Sequence, residues 1–464
     1  MNFYSRDRLA LASCLLVTGM TVQADWSADD SGDSAMTSSS APSSADLGAL
    51  YYQEDAHRVQ VAEGVVALHN VQTDESSWDL RLTIDALSGG SPNGALPSRQ
   101  VQTFANPSGH TLQATQVVQT APGVQTCTTA SGVAYVCGAT AGGSSVIGNS
   151  SLYQVPAGSL PLDGSFHDRR EAIDLSYASP SGDTWHWNTG GAYSHEMDFQ
   201  SMSVQGSVAQ DFNQKNTTLA LGVNLEHDTN NPVGGTPQPL SNYSLFEKTS
   251  NSSKNLADVL LGLTQIMTER WLTAINISGE QSHGYMNDPY KIVSGLDAQG
   301  NVVGYIYENR PTARNKTVLF WDNRYAFDHD SMDISLRSMR DSWQIHSLTA
   351  DLHNRYLLGD GQFVELHYRW YRQSAAYFYR LYVLQGQPYL NEVSADPRLG
   401  AFDARTVGIK YGYALDQDST ISIRLERYQQ YTHISQSVLP QLQGLNLYPG
   451  LGATFVEADL QFKY

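Results

Sequence analysis

The chain of 464 residues carries 28 basic and 46 acidic side chains, so its formal net charge is −18. An acidic surplus excludes a nucleic-acid binder of the usual kind, because lysine and arginine bind phosphate backbones. Charged residues make up 16 % and hydrophobic residues 41 % of the chain, with a mean hydropathy of −0.35, which is too polar for a bundle of membrane-spanning helices. The 38 glycines and 26 tyrosines are typical of a chain rich in turns and strands.

Residues 1–24 have the three parts of a secretory signal peptide. Two arginines precede an apolar stretch over residues 9–22, and Ala24 ends the cleavage site, after which we expect cleavage. A membrane anchor is one alternative, but roughly 14 apolar residues fall short of the about 20 that span a bilayer. Lipidation at Cys14 is another, since residues 11–14 resemble a lipobox, although the apolar run continues past that cysteine. No other window could form a membrane-spanning helix, so a membrane role would require strands.

Residues 25–47 are rich in serine, aspartate and alanine without periodicity, which predicts a disordered polar leader. Beyond Cys14 the chain has two cysteines, Cys127 and Cys137. An exported chain encounters an oxidising compartment, so we predict a disulfide between them that closes one loop. A pair of metal-binding thiols is the alternative, but no histidine or further cysteine at ligand spacing completes such a site.

The last residues give the clearest strand pattern. Apolar and polar residues alternate strictly to the C-terminus, which predicts a strand with one lipid-facing side and serves as the expected barrel-insertion signal. The apolar members are Val456, Ala458, Leu460, Phe462 and Tyr464. The same period of two recurs upstream, for example over residues 80–86, 364–370 and 421–425.

The connections between these segments alternate between short turns and longer loops. This alternation is typical of an outer-membrane β-barrel, in which short turns are periplasmic and longer loops lie outside. Fourteen strand segments are predicted over 78–88, 166–178, 184–195, 200–211, 217–229, 254–267, 271–283, 313–327, 331–341, 345–358, 363–375, 402–415, 420–432 and 453–464. Segments near 49–53 and 58–69 add a further pair, which counts together or not at all because strand numbers are even. The candidates are therefore sixteen and fourteen strands, and we favour sixteen. The predicted fold is all-β: one antiparallel up-and-down barrel over residues 48–464, with a long loop at 88–165.

Charged residues on the polar face of these strands are predicted to line the lumen. They are Arg81, Asp85, Asp333, Arg337, Asp351, Arg355, Glu365, Arg369, Arg424, Glu426, Glu457 and Asp459. Because the two signs alternate, they favour a constricted or partly filled lumen over a wide channel of a single sign, although a porin with a transverse field remains open. His353 and His367 stand near Asp351 and Glu365, which fits either a salt-bridged interior, the favoured interpretation, or a hydrolase site at the barrel rim. No nucleotide, zinc-hydrolase or covalent-haem motif occurs, and no cofactor or metal is predicted.

Several stretches together resemble a family of proteobacterial outer-membrane β-barrels that carries only a domain-of-unknown-function label. They are residues 84–94, 284–291 around Asn287-Asp288-Pro289-Tyr290, 307–314 with Arg310-Pro311, 341–343, 371–379 and 396–413. The resemblance covers nearly the whole chain after the signal peptide and implies an outer-membrane location in a Gram-negative bacterium and no enzymatic activity. Genes for similar proteins stand beside those for a small lipoprotein-like partner, a thioredoxin-like protein and a flavin transferase, which would suggest a periplasmic redox or flavinylated system.

Three functional hypotheses follow. The first is a barrel without catalysis that acts as a channel, conduit or platform for periplasmic partners, possibly redox ones. The second is a passive or hydrophobic-substrate transporter in which residues 25–57 plug the lumen, and the third is a barrel hydrolase. Expected partners are outer-membrane lipid and the barrel assembly machinery, together with a possible small periplasmic lipoprotein or redox protein.

Overall fold

The computed structural model describes residues 43–105, 114–121, 124–129, 134–138, 152–164, 166–232, 235–243, 251–388, 391–433, 438–447 and 450–464. The predicted signal peptide and most of the predicted leader lie outside these residues. Three single-turn 3₁₀ segments, Asp55–His57, Pro397–Leu399 and Pro440–Leu442, are the helical elements of the described part. In that part, no helix is long and apolar enough to cross a membrane.

Sixteen strands form a closed antiparallel barrel, as the sequence predicted. They are β1 Ser44–Glu54, β2 Val59–Val71, β3 Ser77–Gly89, β4 His167–Ser181, β5 Trp185–His195, β6 Phe199–Phe212, β7 Thr217–Asn230, β8 Ser252–Thr268, β9 Trp271–Gly284, β10 Ala313–Ala326, β11 Asp330–Asp341, β12 His346–Gly359, β13 Gln362–Gln373, β14 Ala401–Ala414, β15 Ser419–His433 and β16 Leu451–Lys463. Each strand pairs with its neighbours in sequence, and β16 closes the barrel on β1 with Ala458 opposite Ala49. Closure leaves no unpaired strand edge, which is the condition for a sheet to cross a bilayer.

The outer surface of the barrel follows from the period of two. The apolar members of each alternating run, such as Leu82, Ile84, Leu261 and Ile423, are exposed outward, and their polar neighbours take the opposite side. Near the short turns, aromatic rings gather on this outer surface. Trp78, Tyr177 and Trp187 lie side by side, with ring centroids 4.6 and 5.3 Å apart. A rim of this kind is typical of the interfacial girdle of membrane barrels.

The two ends of the barrel differ in the length of their connections. One end carries seven short turns, at 72–76, 182–184, 213–216, 269–270, 327–329, 360–361 and 415–418. Both ends of the described barrel chain meet at this turn end, where the backbone N–H of Tyr464 donates to the carbonyl of Ser43 over 2.8 Å. The other, loop end carries the long connections, including the 90–166 connection between β3 and β4.

The first barrel strand begins at Ser44, so residues 44–47 belong to the wall and not to the leader. The same observation bears on the plug hypothesis, because residues 44–54 are a wall strand and cannot also fill the lumen. Residues 25–42, the rest of the proposed plug, lie outside the described residues.

The long connection between β3 and β4 contains short strands of its own. Cys127 and Cys137 lie on two of these, Val124–Thr129 and Ala134–Gly138, where the backbone register places Cys127 opposite Tyr135 and Cys137 opposite Gln125. The cysteine side chains are outside the described part of the structure, so the disulfide stays a prediction.

We expect no free thiol in the exported protein, because an oxidising compartment favours the closed loop. Alkylation with a maleimide reagent under denaturing conditions, before and after reduction, measures this directly. Labelling of two cysteines without reduction would contradict the disulfide.

Candidate functional site

The lumen wall is built from the polar positions of the barrel strands. Asp85 accepts a hydrogen bond of 2.6 Å from Nε of Arg170, whose terminal nitrogen lies 3.5 Å from Glu63. Strands β2, β3 and β4 each supply one member of this triad, since the register places Asp85 opposite both Glu63 and Arg170. Each charge therefore meets an opposite charge on another strand, as a polar interior requires.

The predicted histidine and carboxylate positions do come together on strands β12 and β13. In the hairpin register His353 lies directly opposite His367, and the two rings stack with centroids 4.2 Å apart and planes inclined by only 10°. Both Nε2 atoms point to the same oxygen, Oδ1 of Asp351, at 3.2 Å from His353 and 3.0 Å from His367. The Nδ1 atoms contact separate carboxylates, Glu365 at 3.1 Å and Glu426 at 2.8 Å.

Arg424 on β15 joins the carboxylates around the histidines. Its guanidinium lies 3.5 Å from Glu365, 3.3 Å from Glu426 and 3.7 Å from Glu457. On the other side of the histidines, Arg369 lies 3.8 Å from the second oxygen of Asp351. Seven of the twelve predicted lumen residues thus contact charges of the opposite sign in these two groups. They are Asp85, Asp351, Glu365, Arg369, Arg424, Glu426 and Glu457.

The other predicted lumen residues are spread around the wall. Asp333 lies 3.0 Å from Arg324 of β10, and Asp459 lies 3.4 Å from Lys410 of β14. Arg355 packs its guanidinium 3.5 Å above the ring of Phe363. Arg81 stands opposite Asp174, and Arg337 opposite Phe320 and Thr349, on the inward parity of their strands.

A second charged region on β7 to β11 was missed by the sequence analysis. Lys254 binds Asp228 at 2.6 Å, and Lys316 binds Glu280 at 2.8 Å. Arg314 forms a third pair with Asp341 at 2.5 Å. The alternation of polar and apolar residues along each strand could have identified these residues, because each of them alternates with outward apolar residues of its own strand.

At the loop end, several connections fold together into a body that we call the cap. It comprises residues 90–96, 285–312, 342–345, 374–388, 391–400 and 438–447. Its apolar core includes Leu96, Leu296, Trp343, Phe378 and Leu442, each from a different connection. Phe378 and Leu296 have no exposed surface, which is the burial of a folded domain and not of solvated loops. Trp343 is among the most deeply buried members of this core.

A network of buried charges lies inside the cap. Arg310 donates from a terminal nitrogen to Glu308 at 3.1 Å and to Asp396 at 2.8 Å. Arg398 bonds to the same Asp396 and reaches Asp288 at 2.7 Å. The network links residues 285–312 to residues 391–400, and each of its charges has an opposite charge in direct contact, which is what buried ions require.

Lys291 extends this network to a third connection. Its ammonium donates to the carbonyl of Pro92 at 2.6 Å and to the hydroxyl of Ser91 at 3.1 Å. The backbone N–H of Ile292 also donates to the carbonyl of Asn93 at 2.9 Å. Residues from 84–94, 284–291, 307–314, 341–343, 371–379 and 396–413, the stretches that carry the family resemblance, thus meet in the cap or at the strand ends beneath it.

The cap is fastened to the inner face of the barrel wall. The inward side chain of Gln373 at the end of β13 donates from Nε2 to the carbonyls of Arg398 at 2.9 Å and Gly400 at 2.7 Å. Arg314 of β10 stacks 4.3 Å above the ring of Trp343, whose Nε1–H donates to the carbonyl of Ala313 at 3.0 Å. Because these wall residues point inward, the cap lies at the mouth of the lumen.

The charges of the cap set its dependence on pH. Burial alone would raise the pKa of Asp396, but the cations Arg398, Lys291 and Arg310 outweigh burial and hold that pKa well below its usual value. A carboxylate with a lowered pKa in the folded state contributes its full stability above its unfolded pKa and loses it as the pH falls toward the folded value. We therefore expect the cap to loosen below about pH 4. Hydrogen–deuterium exchange of cap peptides, corrected for intrinsic rates, measures this; unchanged protection down to pH 2 would contradict it.

Gly94 permits a close approach of backbone within the cap. Its φ is +93°, and a Cβ at this position would lie 2.4 Å from the carbonyl oxygen of Ile292. Gly94→Ala would place a non-glycine residue at positive φ, which costs about 1–2 kcal/mol, and its Cβ would also collide with that oxygen. We therefore expect the variant to be cleaved faster by proteases within the cap. Gly158→Ala is the matched control, because Gly158 also has positive φ, +78°, but has open space around it. Equal effects of the two variants would contradict a specific role for Gly94.

The contacts of the two stacked histidines bear on the hydrolase hypothesis. Each imidazole has both ring nitrogens bonded to carboxylates, Asp351 with Glu365 for His353, and Asp351 with Glu426 for His367. A general base for a serine or threonine nucleophile needs a ring nitrogen within reach of the hydroxyl. In the described geometry neither ring has a nitrogen left for that task.

A closed barrel with an apolar outer face, an aromatic rim and a polar lumen places this chain in the class of outer-membrane-type β-barrels. The chain belongs to the family described as Protein of unknown function (DUF3570), which it matches over residues 6–462. The predicted membership of a barrel family with a domain-of-unknown-function label is therefore confirmed. No curated protein matches the chain.

Among solved structures, the barrel is similar to outer-membrane receptors and channels. A mutant of the ferric enterobactin receptor of Pseudomonas aeruginosa matches with 8 % identity and a TM-score of 0.39, over 84 % of this chain and 53 % of the receptor. The outer membrane protein opdK of Pseudomonas aeruginosa matches with 7 % identity and a TM-score of 0.37, over 91 % and 98 % of the two chains. The monoaromatic hydrocarbon channel CymD matches with 7 % identity and a TM-score of 0.35, over 92 % and 89 %. The chain spans about half the length of the enterobactin receptor.

Proposed function

We propose that this protein is a non-catalytic outer-membrane channel or conduit whose loop-end mouth is narrowed by the folded cap. The observation that carries the proposal is the attachment of the cap to inward side chains of the wall, above all Gln373 and Arg314. A sixteen-stranded barrel without such a filling encloses a lumen of the width found in porins.

The orientation follows from the connections. In outer-membrane barrels the short turns are periplasmic and the longer loops extracellular. The turn end, with Ser43 and Tyr464, would then face the periplasm and the cap the outside. The polar lumen between them favours small polar or ionic solutes over hydrophobic ones, because its wall is lined by paired carboxylates and cations.

Single-channel recording of the purified protein in planar bilayers tests this proposal. We expect small or brief openings, well below the conductance of an open sixteen-stranded porin. Large, persistent currents from the unaltered protein would show that the cap does not narrow the mouth. Absence of any current under all ionic conditions would contradict a channel and leave the role of a platform.

The turn end favours a second role, that of a platform for periplasmic partners. Its seven turns carry eight carboxylates and two cations, a net charge of −6. The carboxylates are those of Asp74, Glu75, Asp183, Glu269, Asp328, Asp360, Asp416 and Asp418, and the cations are Lys215 and Arg270. A ring of one sign attracts a surface of the opposite sign, so the partner would be a periplasmic protein with a basic face.

Co-purification from detergent-solubilised outer membrane tests the platform. We expect a partner that is released by salt and is lost from a triple variant with Asp183→Asn, Asp360→Asn and Glu269→Gln. Asp297→Asn, on an exposed loop of the opposite end, is the control. A flavin or haem spectrum in the co-purified material would support the redox partner suggested by the family resemblance, and equal recovery with both variants would contradict the acidic ring as the docking surface.

A further inference from the structure

The stacked histidines of the lumen bring together the ligand types of a metal site. One ligand atom from each of Asp351, His353 and His367 lies within 4.8 Å of the other two. Both Nε2 atoms point to the same oxygen, Oδ1 of Asp351. We propose that Asp351, His353 and His367 bind a divalent first-row transition metal, Zn²⁺ or Cu²⁺, in the lumen of the barrel.

The distances suit such an ion. Zinc binds histidine nitrogen and carboxylate oxygen at 2.0–2.2 Å with tetrahedral angles, so two ligand atoms around it lie about 3.3 Å apart. The observed separations from Asp351 Oδ1 to the two Nε2 atoms, 3.2 and 3.0 Å, are within a few tenths of an ångström of that value. Because the two rings stack nearly parallel, their in-plane lone pairs converge on one ion only after His353 or His367 tilts out of the stack, so binding requires a side-chain rotation.

The outer contacts of the histidines are those of metal ligands. A metal-binding histidine commonly donates its other ring N–H to a carboxylate, which fixes the ring and raises its basicity. Here Nδ1 of His353 contacts Glu365 at 3.1 Å, and Nδ1 of His367 contacts Glu426 at 2.8 Å. In the tautomer that carries these protons on Nδ1, the two Nε2 lone pairs face an oxygen that also carries lone pairs. A cation among the three atoms resolves this repulsion.

Glu426 reaches His367 because of a glycine. In the sheet Gly408 of β14 lies between these two residues, opposite His367 on one side and Glu426 on the other. A Cβ on Gly408 would lie 2.8 Å from the side chain of Glu426, so the contact depends on the absence of a side chain at 408. The carboxylate thus extends across a whole strand to meet the ring nitrogen.

The net charge of the side chains around the two histidines also favours the binding of a divalent cation. Asp351, Glu365, Glu426 and Glu457 carry four negative charges in this cluster, and the guanidiniums of Arg369 and Arg424 that contact them carry two positive charges. With both imidazoles neutral, two negative charges are left for a divalent cation to balance. Histidine nitrogen with one carboxylate favours zinc or copper over calcium and magnesium, which prefer oxygen ligands. Three protein ligands leave a fourth position for water or a solute in the lumen.

Metal titration of the chelator-treated, detergent-purified barrel tests the proposal. We expect one equivalent of Zn²⁺ to bind in isothermal titration and one Cu²⁺ to give an electron paramagnetic resonance spectrum with splitting from two nitrogens. His353→Gln and His367→Gln should each weaken binding at least about 10-fold, by loss of a ligand, and Gly408→Ala should weaken it less, by displacing Glu426.

His69→Gln is the matched control, because His69 is another lumen histidine with a carboxylate partner, Asp79 at 2.6 Å, but has no second imidazole beside it. It should bind metal as the unaltered protein does. Heat-modifiable gel mobility verifies that each variant is folded. Lack of stoichiometric metal binding by the unaltered protein would overturn the proposal, and this result does not depend on whether a variant folds. A copper spectrum without splitting from two nitrogens would also overturn it. So would an equal loss of binding in His69→Gln.

Discussion

Arg310→Leu is expected to release the cap and to convert the protein into an open pore. The guanidinium of Arg310 is the direct partner of two buried carboxylates, Glu308 and Asp396. Its removal takes away the guanidinium in direct contact with Glu308, and Asp396 keeps only the charges of Arg398, which Asp288 shares, and of nearby Lys291. Breaking one side of a buried ion network costs about 3–5 kcal/mol, because an uncompensated charge stays in a poorly solvated place. That energy is comparable to the stability of a small domain.

The measurement is single-channel conductance, accompanied by limited proteolysis. We expect the conductance to rise several-fold and trypsin to cleave within residues 285–312 or 391–400, while the barrel strands stay resistant. Arg372→Leu is the control, since Arg372 also forms a pair with a carboxylate, Asp403 at 2.7 Å, but on the exposed rim where such pairs contribute little. An unchanged conductance in a folded Arg310→Leu barrel would show that the cap does not control the opening.

The barrel itself could be predicted from the sequence because its determinants are local. Each strand can be recognised from the alternation of apolar and polar residues over about ten positions. A tight turn such as Gly359-Asp360-Gly361 fixes the register of the hairpin around it. His353 and His367 are equally distant from Asp360, so their pairing on adjacent strands could be anticipated. The contact of His367 with Glu426 could not, because it crosses β14 and depends on Gly408.

The cap could not be predicted, because its contacts join residues far apart in the chain. Arg310 meets Asp396, and Lys291 meets Pro92, about 200 positions earlier. In the sequence most of these connections contain glycine or proline and none sustains a period of two, which is the pattern of a loop. The family resemblance did point to them, since residues 284–291 and 307–314 belong to it, but a resemblance does not reveal which residues meet.

The structure explains part of the excess of acidic over basic residues in the chain. Inside the lumen and the cap, carboxylates are mostly paired with arginine or lysine, for example Asp85 with Arg170 and Asp288 with Arg398. The turns of one end contribute −6 to the formal −18 of the whole chain, and of their cations Arg270 is already paired with Asp328 at 2.6 Å. One third of the surplus therefore lies where a soluble partner could meet it.

Phe462→Asp is expected to abolish assembly of the barrel. Phe462 is on the outward, apolar side of β16, the strand that closes the barrel by pairing with β1 and β15. An aspartate there presents a charge to lipid, and it does so on the strand whose incorporation completes the backbone hydrogen bonding that a membrane barrel requires. Deletion of Tyr464 should act in the same direction, because its backbone N–H holds the C-terminus to Ser43.

Heat-modifiable gel mobility of the outer-membrane fraction measures assembly, and we expect the folded band of Phe462→Asp to fall at least about tenfold. Gln461→Asp is the matched control. It introduces the same charge one residue earlier on the same strand, but on the inward face, where Asp459 already lies near Lys410. If both variants assembled normally, the apolar face of β16 would not be the insertion signal. If both failed, any added negative charge on this strand would be harmful, and the distinction between the lipid-facing and lumen-facing sides would not hold there.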